Sequence, residues 1–172
     1  MTWPTHALFG ISSLWLLALL PPEWIGTDFG TLAAIAAFGA LLPDLDASES
    51  KIKHLKIPTT HIKPFLLPAL FVSRSDQHRG LLHSLIGPAM VGVICVPALW
   101  WTGWAPVVAL LLGYASHLMA DAATKSGIRL LHPSPQRFHL LPLDLRFTTG
   151  SMAEEVLIAP LTVSVMCLLL SR

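Results

Sequence analysis

The stretch WAPVVALLLGYASHLMADAA, residues 104–123, joins a membrane signal to a chemical one. Its first part is apolar and uncharged, and its length matches the roughly 20 residues a helix needs to cross a bilayer. Its last turns hold His117 and Asp121. Residues four apart share one helical face, so this pair can bind one ion. Ionisable groups inside a membrane segment are costly and are functional candidates by default. The stretch therefore predicts a membrane helix that ends in a polar site.

The composition of the whole chain agrees. Of its 172 residues 53% are hydrophobic and 12% charged, against roughly 25% charged in soluble domains. The mean hydropathy is +0.64, more apolar surface than a soluble globule of this size can hide. Four further apolar segments fall at about 6–22, 29–43, 81–102 and 153–171. The expectation is an all-α, polytopic transmembrane bundle of about five helices, forming one integral membrane domain over residues 1–172. The segment 63–72, KPFLLPALFV, is too short to cross and reads as interfacial. The start, MTWPTHALFG, has no basic region ahead of its apolar run, so that run is expected to stay as a membrane segment. Cys95 and Cys167 lie in apolar runs, form no CxxC, and read as small packing residues.

Charge sets the expected orientation. Ten of the eleven Lys and Arg residues lie in 51–79 and 125–146, and the other is Arg172. The opposite connections, PPEWIGTD (21–28) and TG (102–103), carry no basic residue. By the positive-inside rule both long loops and the N-terminus of this multi-pass membrane protein face the cytoplasm. Trp24, Trp100, Trp101 and Trp104 then cluster at the outer interface, as an aromatic belt does.

On that topology the titratable residues gather at the cytoplasmic end. His6 opens the first segment, and Asp44 and Asp46 follow the second in PDLDAS. His78 and His83 flank the start of the third in HRGLLHS, His117 and Asp121 end the fourth, and Glu154 and Glu155 open the fifth. Neutral imidazoles mixed with carboxylates suit zinc, manganese or iron rather than magnesium or calcium. The donors outnumber the needs of one tetrahedral ion, so one or two ions are expected. A two-metal site suits phosphoester hydrolysis, because it clamps the attacking and leaving oxygens. Each piece has a bland reading: the aspartates as helix-end caps, His117 and Asp121 as a hydrogen-bonded pair, His83 on a backbone carbonyl. Their convergence at one end favours a site. Arg79 reads either as a snorkelling anchor or as a fork for a substrate phosphate. Lys51, Lys53 and Lys56 answer to anionic lipid and topology. Ser84 lacks the base and orienter of a serine-hydrolase triad.

THALFG, PDLDA, HRGLLHS, GYASHLMADAATKSGIRLLHP and the late GSMAEE occur in this order. From about residue 5 to residue 158 the chain resembles the YdjM-like family of bacterial inner-membrane proteins, described as metal-dependent hydrolases. By motif, the family's polar positions fall on His6, Asp44, Asp46, His78, Arg79, His83, Ser84, His117, Asp121, Thr124 and Glu154. Leu82 stands where the family has threonine, a departure that removes a hydroxyl but no presumed ligand.

The expected mechanism follows. His6, Asp44, Asp46, His78, His83, His117 and Asp121 supply metal ligands, with zinc first and manganese second. Glu154 serves as base or further ligand, and Arg79 holds the anionic group. Membrane lipids are the surroundings, and the substrate is lipid-like or phosphorylated. Nucleic acid is not expected, because the basic loops lack interleaved aromatic platforms. The competing reading is a non-enzymatic membrane protein that binds or transports metal ions. A carrier, however, needs polar groups near the midplane, and segments 8–20, 85–101 and 157–170 hold no ionisable residue. Residues 126–149 carry three prolines, cannot form one regular helix, and read as a lid or an interfacial connector.

Overall fold

The computed structural model describes residues 1–46 and 81–172, with only the backbone of residues 45 and 46. The described residues are helical, with two isolated β-bridges and no strand. Five helices are of ten residues or more: α1 (Trp3–Ser12), α2 (Phe29–Leu41), α3 (Ile86–Thr102), α4 (Trp104–Ala122) and α5 (Met152–Leu170). They correspond to the five apolar segments, but two have crossing length. At 1.5 Å per residue, α4 and α5 with 19 residues each reach about 28 Å, close to the roughly 30 Å hydrocarbon core. The others are shorter for local reasons. After α1, Ser13 turns its hydroxyl back onto the Gly10 carbonyl at 2.6 Å, the kind of bond that competes with a continuing helical ladder. Single turns follow at Trp15–Ala18 and Pro22–Ile25, the second closed by Gly26 at φ 64°. Helix α2 starts on Asp28, whose carboxylate accepts from Thr31 N at 2.8 Å. It runs into a 3-10 turn at Pro43–Asp46, since proline cannot continue the ladder. Pro97 likewise tightens α3 into a 3-10 turn at Val96–Ala98. The segment 63–72 lies outside the described residues.

Helices α2 and α4 make the most extensive contact, and α1 packs against α2, α4 and α5. Small residues permit the close approach. A Cβ on Gly39 would strike the Leu110 carbonyl, and one on Gly113 the Ala36 carbonyl. Backbone meets backbone here, as membrane helices do through small residues. Away from the polar end, Leu14, Leu32, Ala36, Ala105, Ala109 and Leu168 fill a fully buried core. The outward faces of α3 and α5 stay apolar: Val93, Ile94, Val156 and Val163 are exposed. Trp24 and Trp104 meet at the far end, where the Trp104 indole donates to the Trp24 carbonyl at 3.1 Å.

Candidate metal centre

Five of the expected ligands converge. Helix α1 brings His6, the 3-10 turn after α2 brings Asp44, and a 3-10 turn at Leu81–His83 ahead of α3 brings His83. The last turns of α4 bring His117 and Asp121. His6, His83, His117 and Asp121 are buried, while the Asp44 side chain is 25% exposed and forms the open side. His83 Nε2 and His117 Nε2 lie 3.2 Å apart. Asp44 Oδ1 is 3.7 and 3.8 Å from these two nitrogens, and Asp121 Oδ2 is 3.8 and 3.9 Å from them. Donors held about 2.0–2.2 Å from a zinc ion stand about 3.3–3.6 Å apart at tetrahedral corners. The two imidazole nitrogens and an oxygen of either carboxylate thus stand near the spacing of adjacent corners of one such shell.

The surroundings orient these donors for a cation. His117 Nδ1 donates to the Ala40 carbonyl at 2.7 Å, which leaves the Nε2 lone pair facing the cluster. A second bond of this kind fixes tautomer and ring angle in metal-ligating histidines. His6 stacks on His117 with ring centres 3.8 Å apart. Its Nε2 is 3.4 Å from Asp121 Oδ1. The amino group of Met1 donates to the same Asp121 oxygen at 2.7 Å. Helices α2 and α4 both end here, so their carbonyl termini add negative potential. Burial acts to raise the Asp44 pKa, but His83, His117 and His6 outweigh it and hold the carboxyl below its ordinary 3.8. Asp44 is therefore ionised at neutral pH, as a ligand must be.

Two donor triads lie within 4.8 Å, His6–Asp44–His117 and His83–His117–Asp121. They share His117, whose other nitrogen is taken by Ala40, so His117 Nε2 can serve one ion at a time. Asp46 has no described side chain, and His78 and Arg79 lie outside the described residues. Glu154 is buried but stands apart from both triads. Ser151-Met152-Ala153-Glu154 is a capping sequence in which Ser151 caps α5. Glu154 Oε2 accepts from Gly150 N at 2.8 Å, and Oε1 accepts from the backbone amide and the hydroxyl of Thr2. Its carboxylate thus ties the start of α1 to the start of α5. Ser84 also has local employment, donating to the Leu81 carbonyl at 2.7 Å and accepting from Ile86 N at the head of α3.

Two contributors escaped the sequence reading. Tyr114, fully buried, donates to the Leu82 carbonyl at 2.7 Å and so holds the turn that carries His83. Gly87 leaves room for this phenol, since a Cβ there would collide with it. Tyr114 lies three residues before His117, on the same helical face, and that spacing was the available signal. The Ala40 carbonyl carries no side-chain signal at all. Residues 124–147 fold back over the end of α4: Leu140 N and Phe147 N donate to the Ala122 and Ala123 carbonyls, and Leu85 N donates to Leu130.

The profile of the YdjM inner membrane protein family matches residues 1–171. The chain belongs to that family. The Escherichia coli "Inner membrane protein YdjM" is 30% identical over 149 residues, covering 81% of this chain and 69% of that protein. The Bacillus subtilis "Uncharacterized protein YvsG" is 34% identical over 164 residues, covering 95% and 91%. No solved structure matches. Membership in the YdjM family makes this an inner-membrane protein, in keeping with the two helices of crossing length.

Proposed function

We propose that the chain is a membrane-bound, zinc-dependent hydrolase that cleaves a phosphoester in a lipid or amphiphile at the cytoplasmic membrane surface. In this reading all five helices lie in the bilayer as a multi-pass bundle with the centre at its cytoplasmic end. The observation that carries the reading is the His83–His117 imidazole pair at 3.2 Å, with an oxygen of Asp44 and one of Asp121 each 3.7–3.9 Å from both nitrogens. Held by these residues, a zinc ion would supply a Lewis acid and would lower the pKa of a bound water toward about 7. His117 presents Nε2 because Ala40 holds Nδ1, and His83 is presented by the turn that Tyr114 holds. The buried walls exclude bulk water, and Asp44 marks the side from which substrate enters. Glu154 acts as a positioning residue for α1, and through it for His6. Arg79 is the candidate for gripping the phosphate.

One-sided placement favours hydrolysis over ion passage. Between Ile86 and Thr102, and again between Val156 and Leu170, the chain carries no Asp, Glu, His, Lys or Arg. The test is metal content of detergent-purified protein, wild type beside His117→Ala and Asp121→Ala, followed by a phosphodiester and phosphomonoester substrate screen. About one equivalent of zinc or manganese, lost in both variants, together with turnover in the screen, is the expected result. Absence of metal after reconstitution with both ions would sink the mechanism. Tight metal binding without turnover would leave a binding or structural centre.

A further inference from the structure

Beside the metal centre lies a cleft of about 450 Å³ that the proposed chemistry does not use. Its floor is Ser116, Met119 and Ala120 of α4 and Ala123, which caps that helix. These positions follow the i, i+3, i+4, i+7 rule and form one helical stripe. His117 and Asp121 are each one residue further on, so cleft and centre occupy neighbouring faces of the same turns, about 100° apart. Phe9 of α1 and Leu161 of α5 form the walls, and Phe147 of the folded-back segment covers it. Met1 links the two sites, since it lines the cleft while its amino group contacts Asp121.

The lining selects the class of occupant. The Ser13 and Ser116 hydroxyls are turned back onto the Gly10 and Gly113 carbonyls, so the walls offer almost nothing for a peptide's amides, which need partners when buried. A hydrocarbon chain has no such need. Ser12 also lines the cleft, and its buried Oγ has no hydrogen-bond partner among the described residues. The volume falls within the roughly 300–1,000 Å³ of ligand pockets. We propose that this cleft holds one acyl chain of an amphiphile whose headgroup reaches the His117–Asp121 centre. The inference deepens the hydrolase reading and rests on it only for what the headgroup does.

A second apolar depression, on α3 along Leu85, Ala89, Val93 and Ile94, provides the internal control. It lies on the outward face of this helix, where Val93 and Ile94 are exposed, and is expected to meet only annular lipid. The experiment uses the full chain in nanodiscs with a trace of phosphatidylcholine bearing a diazirine in one palmitoyl chain, with labelled residues mapped by mass spectrometry. Labelling concentrated on Phe9, Met119 and Leu161 over Val93 and Ile94 is expected. Met119→Trp, which fills the cleft from a side chain 59% exposed, reduces that labelling about tenfold, as excluding a few methylenes does. Leu161→Trp serves if the first variant fails to fold. Even labelling of both faces, or labelling indifferent to either tryptophan, overturns the proposal in favour of annular lipid. Metal content measured on the same samples separates the two readings. Cleft labelling without bound metal refutes the hydrolase and spares the cleft, and bound metal with even labelling does the reverse.

Discussion

Gly113→Ala places a methyl group where α4 crosses α2, and its consequences reach the metal centre. The new Cβ meets the Ala36 carbonyl, a backbone atom that no rotamer change can move. The helices must separate, and overpacking of this kind costs about 1–3 kcal/mol, occasionally more. Alanine returns about 1 kcal/mol of helix propensity, so the net loss is at most about 2 kcal/mol. For a chain of this size that lowers Tm by up to about 8 °C. The same separation draws the Ala40 carbonyl, one turn along α2, away from His117 Nδ1, to which it is bonded at 2.7 Å. Loss of such a supporting bond weakens metal binding about 10–100-fold. Gly92→Ala is the matched control. Its Cβ would meet only Leu111 methyls at 3.8 and 3.9 Å, so propensity alone acts and stability rises by up to about 1 kcal/mol. The assay is thermal unfolding in detergent, with zinc affinity from chelator competition on the same preparations. A Gly113→Ala protein as stable as wild type, with unchanged zinc affinity, would refute both the close crossing and its coupling to the site.

Three other outcomes are expected. Glu154→Gln weakens the tie between α1 and α5 by about 1–2 kcal/mol, since hydrogen bonds to a charged group are lost, yet it retains metal; a Glu154→Gln protein purified without metal would make Glu154 a ligand instead. Tyr114→Phe leaves the Leu82 carbonyl without its 2.7 Å partner, at a cost of about 1–3 kcal/mol in stability, and loosens zinc binding through His83. Chelator competition reads that effect, and unaltered affinity would remove Tyr114 from the support of the site. For Asp44 the sign follows from its lowered pKa: the unfolded chain binds the proton more readily, so stability increases with pH. In metal-free protein its contribution is complete above the ordinary 3.8 and is lost as pH falls through the lower folded value. Asp44→Asn therefore flattens the acid limb of the Tm–pH profile, and an unchanged acid limb would contradict the reading.

Local order along the chain decided much of this protein. Apolar runs of helical length separated by Pro, Gly and charge specify where helices form, because caps and breaks are read within a few residues. Asp28, Ser151 and Pro43 act in that way. The i, i+4 spacing of His117 and Asp121 likewise puts both on one face before any packing is known. Crossing length was less legible: the segment 6–22 reads as one span, yet Ser13, Pro21 and Pro22 divide it. Tertiary structure alone decided which polar residues meet. His6, Asp44, His83 and the α4 pair come from four separate elements, and their distances depend on how closely α1, α2 and α4 approach. Glycines at 39 and 113 set that approach through backbone contacts that no hydropathy pattern encodes. The same packing drew Glu154 into a clamp on Thr2 and Gly150, and it turned the Ala40 carbonyl, a group every residue possesses, into the bond that aims His117.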